Sequence, residues 1–145
     1  MPKIEIPDSL YVGCSLTGAP EDFVAEVEAT KDILKKNYDV YDFVGLTAGT
    51  EKDVYDYDIG NCVANCGMFV GVCDIPSIGL GRELCKAIEL GKPTLGIAEQ
   101  NARVTRLVLG AAVVEPNFSF ERYDNMRIDT PKLVAAKFAI ARASL

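Results

Sequence analysis

The chain has 145 residues and a mass of 15.7 kDa, with 49% hydrophobic and 25% charged residues, which suits one ordinary globular domain and excludes a disordered or fibrous chain. Its formal net charge is −6 and only Lys35 and Lys36 adjoin among the scattered basic residues, so a polymeric nucleic acid is not an expected partner. No apolar run approaches the ~20 residues of a bilayer span, and the opening MPKIEIPDS holds no signal-peptide core, so the expectation is a cytoplasmic protein without a membrane partner.

Leu10–Cys14 reads as a buried strand, and residues 20–37 as a helix with Phe23, Val27, Thr30 and Leu34 along one face. Asp39–Val44 is a second strand. Residues 52–66 form a helix weakened by Gly60 and by aromatic and β-branched residues. Met68–Cys73 is apolar throughout, as in a parallel strand covered on both faces. A helix over Gly79–Leu90 follows, closed by Gly91 at its C-terminal cap. Pro93–Ala98 is a fourth strand, Arg103–Leu109 a short helix and Phe118–Arg122 a fifth strand. Residues 130–143 make the last helix, with Pro131 in its first turn.

Strands alternating with helices over short connections predict an α/β doubly wound, flavodoxin-like sandwich, with a parallel sheet of about five strands in one domain spanning 1–145. Ligands in such folds bind beyond the carboxyl ends of the strands, near the point where strand order reverses. Functional residues are therefore expected after Cys14, Val44, Cys73 and Ala98.

The chain has no histidine, which removes Ser-His-Asp and Cys-His nucleophile schemes and any zinc site that needs an imidazole. Its five cysteines are odd in number and include no CxxC pair. Cys62 and Cys66 share an i, i+4 spacing but read as small buried hydrophobes rather than ligands, so neither metal nor cofactor is expected. Chemistry then falls to carboxylates, hydroxyls, lysines or thiols.

After the first strand comes Cys14-Ser15-Leu16-Thr17-Gly18, either a plain turn with a hydroxyl near the next helix or a binding segment. After the third strand runs Asp74-Ile75-Pro76-Ser77-Ile78-Gly79-Leu80-Gly81-Arg82-Glu83. Its two glycines allow close approach of a ligand to the backbone, and the new helix points unpaired N–H groups into the same crevice. Glu83 is expected in the first turn of that helix, where it either stabilises the helix end by roughly 0.3–1 kcal/mol or does chemistry. The run is not the dinucleotide fingerprint, because Leu84 stands where the third glycine would be.

Tyr11-Val-Gly-Cys-Ser15, then Pro76-Ser77-Ile-Gly79-Leu-Gly81-Arg-Glu83-Leu-Cys-Lys-Ala87 and Gly91-Lys92-Pro93, resemble the nucleoside 2-deoxyribosyltransferase family, and within it the 2′-deoxynucleoside 5′-monophosphate N-hydrolases. The resemblance covers residues 10 to 115, and SxGxGxE followed by a helix and GKP is its most specific part. It implies that Glu83 is a nucleophile that attacks the anomeric carbon of a deoxyribose and expels the base. The resulting glycosyl ester passes to water or to a second base.

It also implies a base-contacting aspartate before the third strand. That position falls on Ile59, with Asp58 one residue earlier and Asp56 as the alternative. Tyr11 matches a tyrosine beside the nucleophile, or is a core aromatic. Ser15 and Ser77 match phosphate-binding serines, with Gly79 and Gly81 beside them. Thr17 stands where the monophosphate hydrolases carry arginine, and Arg106 or Arg103 of a neighbouring subunit would then supply the charge. The implied partners are a small nucleoside or nucleotide and a second copy of the chain in a homodimer or larger assembly that shares its sites. Alternatives are a ribonucleotide N-glycosidase of the cytidylate type and a non-catalytic nucleotide-binding module.

Overall fold

The computed structural model describes residues 5–42 and 49–145. In chain order these form β1 (Ser9–Cys14), α1 (Glu21–Leu34), β2 (Asp39–Tyr41), α2 (Glu51–Tyr57), a π-helical continuation of α2 over Asp58–Val63, β3 (Met68–Val72), α3 (Ile78–Glu89), β4 (Thr94–Glu99), α4 (Arg106–Val114), β5 (Phe118–Tyr123) and α5 (Met126–Ala143). The five strands make one sheet in the order β2-β1-β3-β4-β5, parallel at every pairing. This is the doubly wound, flavodoxin-like arrangement that the alternation predicts. Strand order reverses between β1 and β3. Val44 and residues 45–48 after it lie outside the described segments.

Side chains alternate across the strands and so build two cores. Leu10 and Val12 of β1, with Val70, Val72, Leu95 and Ile97, pack against Val27 and Leu34 of α1 and Val134 and Phe138 of α5. Tyr11 and Phe69 face the opposite way, against Cys62 and Val63 of the π-helical segment and Leu80, Leu84 and Ala87 of α3. β3 is buried along its whole length, as its unbroken apolar run requires. Among the described residues no helix is long and apolar enough to cross a membrane.

Several boundaries differ from the sequence expectation, each for a local reason. α1 ends at Leu34, because the N–H groups of Asn37 and Tyr38 both turn back onto the Leu34 carbonyl. α2 starts at Glu51, one residue early, under a reciprocal cap between Thr50 and Asp53. The expected single helix over 52–66 widens at Asp58, which adds a residue to the turn. α4 runs from Arg106 to Val114 rather than from Arg103 to Leu109, since Thr105 caps it by accepting from the Leu107 N–H at 3.3 Å. α5 begins at Met126: the Asn125 side chain accepts from the Ile128 N–H at 3.1 Å, and the Asp129 carboxylate accepts from the Asp124 and Asn125 N–H groups. These caps place Pro131 inside the helix rather than in its first turn.

Candidate active site

β1 and β3 end side by side, with Cys14 paired to Val72 in register. The chain that leaves β1 carries Ser15 and Thr17, and the chain that leaves β3 carries Ser77 into α3, where Ser77 caps the helix by accepting from the Leu80 N–H at 3.3 Å. Between them lies a cleft of about 470 Å³, bordered by Cys14, Ser15, Thr17, Asp58, Ser77, Gly79 and Glu83. It sits at the switch point of the sheet, where the fold leaves a crevice for ligands.

Glu83 lies in the second turn of α3, not the first. The field of the helix end fades within one turn, so it does not explain this residue and does not hold it ionised. The Glu83 carboxyl is instead pushed up to about 7, first by burial and further by the negative charge of Asp58, while a hydrogen bond from Tyr11 works in the opposite direction. The expectation of Glu83 in the first turn is corrected accordingly. Glu83 Oε2 is buried and has no hydrogen-bond partner among the described residues. A buried acceptor left open in a cleft is costly unless a ligand engages it.

Tyr11 is 3% exposed, and its hydroxyl bonds to Glu83; burial and the neighbouring carboxylate both push its ionisation far upward, so it serves as a neutral donor. Its ring leans on Phe69, with centroids 5.7 Å apart. Tyr11 is thus both a core aromatic and the nearest partner of Glu83. Gly13 leaves room for the same carboxylate: a Cβ there would lie 2.9 Å from Phe69 Cζ and 3.2 Å from Glu83 Oε1. Sequence reading passed over Gly13, although the alternation of β1 puts it on the face of Tyr11.

Asp58 opens the π-helical segment and borders the cleft, whereas Ile59 is in the core at 8% exposure. Asp58, rather than Ile59, is thus the residue at the cleft, at the start of the widened turn. Asp56 is exposed and paired with Lys52, away from the cleft.

Ser15 is buried at 3% exposure, Ser77 half-buried and Thr17 exposed on the rim. Gly79 borders this cleft, but Gly81 borders a second one of about 400 Å³, which begins on the far side of Ser77 and includes Arg103. Arg106, exposed at the start of α4, borders neither cleft. The structure therefore brings Glu83, Tyr11, Asp58, Ser15, Thr17, Ser77 and Gly79 together, and sets Arg106 apart within a single chain.

A further set went unread in the sequence. Asp74, at the exit of β3, accepts from the Tyr123 hydroxyl at 2.6 Å and from the Glu99 N–H at 3.1 Å, while Arg122 donates to the carbonyls of Glu99 and Ala102. This ties the segment leading to Ser77 and Glu83 to the ends of β4 and β5. A lone aspartate closing an apolar strand was the available signal.

No protein-family model matches the chain, and no curated protein does. Solved structures do. The CMP N-glycosidase of Clostridium botulinum matches with a TM-score of 0.65 at 16% identity, covering 88% of this chain and 98% of that one. A 2-deoxyribosyltransferase of Leishmania mexicana matches with a TM-score of 0.61 at 14% identity, covering 89% of this chain and 98% of that one. At these identities the likeness is one of fold, extending over nearly the whole of each neighbour.

Proposed function

We propose that the chain cleaves the N-glycosidic bond of a 2′-deoxyribonucleoside 5′-monophosphate, or of the free 2′-deoxynucleoside, with Glu83 as nucleophile. One observation carries the reading: the Glu83 carboxylate is buried at the switch point of the sheet, held by Tyr11, with an oxygen that no group among the described residues engages. A carboxylate so placed meets the needs of covalent glycosyl transfer, which requires neither metal nor histidine.

In the first step a Glu83 oxygen bonds to the anomeric carbon, and the carbon–nitrogen bond breaks with its electron pair leaving on the base. Asp58, at the border of the cleft, would in its protonated form pass that proton to the departing base, and the proton released by water in the second step would restore it. In the second step water bonds to the anomeric carbon and the ester bond to Glu83 breaks, restoring the carboxylate and releasing a proton. A second base in place of water would give exchange. Ser15 and Ser77 hydroxyls and the backbone at Gly79 would bind the 5′ end, since hydroxyls and helix-start N–H groups donate to phosphate. Arg103, across Ser77, adds positive charge at that end.

The fold likeness to a CMP N-glycosidase supports ribonucleotides as a second substrate class, and the likeness to a 2-deoxyribosyltransferase supports base exchange. A non-catalytic nucleotide-binding module is the alternative reading, and tight binding of a nucleotide without base release would favour it. We also propose a homodimer. Leu107, Val113 and Val114 of α4 and Ile78 of α3 are 76–91% exposed, an unusual set of apolar side chains to leave in water, and Arg106, on the same helix as three of them, would lie at an interface formed there by a second copy. The test of the activity is base release from ribo- and deoxy-nucleosides and their monophosphates, with and without an acceptor base. Glu83→Ala is expected to lower it by roughly 10³-fold or more.

A further inference from the structure

The glycosidase reading, on which this inference rests, puts the reacting carbon at Glu83 and the 5′ end toward Ser77, so the nucleobase extends the other way. There a chamber of about 50 Å³ continues from the cleft, bounded by Glu83, Asp58, Leu16, Val27 and two charged residues of α1, Glu28 and Lys31. Leu16 and Val27 offer apolar contact for a ring face. The charged pair offers something more selective.

Lys31 is only 2% exposed, and its ammonium bonds to Glu28 Oε1 and to Asp42 Oδ1, each at 3.2 Å. A charge buried this deeply persists only with such partners, and the bond from Lys31 in turn restrains Glu28, whose side chain is 46% exposed, at the border of the chamber. An ionised carboxylate has about four acceptor positions, so one bond from Lys31 leaves Glu28 able to accept others. The Cys14 thiol, which also lines the chamber, senses Lys31, Glu28 and Glu83 together, so the α1 pair and the nucleophile surround one side chain.

A carboxylate accepts hydrogen bonds and repels lone pairs. The exocyclic amino group of cytosine or adenine donates to it, whereas the oxo group at the same ring position of uracil or hypoxanthine presents only lone pairs. We infer that Glu28, positioned by Lys31, selects nucleotides whose base carries an amino group at C4 of a pyrimidine or C6 of a purine.

The test compares kcat/KM within pairs that differ only in amino against oxo: cytidine with uridine and adenosine with inosine monophosphates, in ribo and deoxy forms. The wild type is expected to favour the amino member of each pair by about tenfold or more. Glu28→Gln presents an amide that both donates and accepts. It should lower the ratio by about tenfold, slowing the amino member and speeding the oxo member. A loosened or partly folded protein would not gain activity on the oxo member. Equal rates within pairs for the wild type, or a ratio unmoved in Glu28→Gln, would overturn the inference while base release left the glycosidase reading standing. No base release from any nucleotide would overturn both.

Discussion

At the scale of the residue, the environment of Glu83 decides its behaviour. Its position in the second turn removes the helix end as an explanation, and burial gives it a proton affinity near 7 against an ordinary value of 4.5. Attack requires the ionised form, so kcat/KM should fall as pH falls through about 7, with a slope approaching one. The same shift has a stability consequence of opposite sense. The unfolded chain releases this proton near 4.5 and the folded protein near 7, so the carboxyl's stabilising contribution is complete below 4.5 and is lost as pH rises through 7. Glu83→Gln should therefore gain about 2–3 kcal/mol over wild type in denaturant melts at pH 8 compared with pH 4, a gap that a surface carboxylate would not produce. Gly13→Ala tests the space beneath the carboxylate. Its Cβ would press on Phe69 Cζ and Glu83 Oε1, at a cost of about 1–3 kcal/mol in urea melts and a loss of base release. Glu83 itself was legible in the sequence, because the glycines and Ser77 frame it and no histidine competes. Its proton affinity was not, since burial by Tyr11, Phe69 and the sheet end is a tertiary fact.

At the scale of the element, the strands were legible and the helix ends were not. Continuous apolar runs such as Met68–Val72 declare a covered parallel strand, but caps such as Asn125 with Asp129 compete with the weaker signal of Pro131 and prevail. The π-helical turn at Asp58–Val63 was beyond periodicity analysis, because it changes the residue count of a turn without changing composition. It also starts with Asp58, the residue that borders the cleft. The Asp74–Tyr123 bond is the corresponding tie on the other flank. Tyr123→Phe keeps the ring and deletes the donor, leaving one Asp74 oxygen with only the Glu99 N–H. Urea denaturation should show a loss of about 1–3 kcal/mol. A midpoint equal to that of wild type would mean that the bond does not hold the segment.

At the scale of the whole molecule, the order β2-β1-β3-β4-β5 places the exits of β1 and β3 together, and Ser15, Ser77 and Glu83 meet through that placement. The alternation of strands and helices forecast this topology, and the fold neighbours share it across nearly their entire length. Quaternary structure is where a single chain stops short: Arg106 stands outside the clefts, beside apolar side chains open to water. Sedimentation equilibrium should find a dimer for the wild type and a monomer for Val113→Glu combined with Val114→Glu. A wild type that sediments as a monomer would remove the dimer and the proposed role of Arg106 with it.

A covalent bond between Glu83 and the sugar would mark the proposed reaction most directly. Rapid acid quench of the protein during turnover of a nucleoside monophosphate, followed by peptide mass mapping, should find one glycosyl group on the peptide containing Glu83, and none in Glu83→Ala. Base release that continues undiminished in Glu83→Ala, with no sugar on that peptide in the wild type, would contradict it.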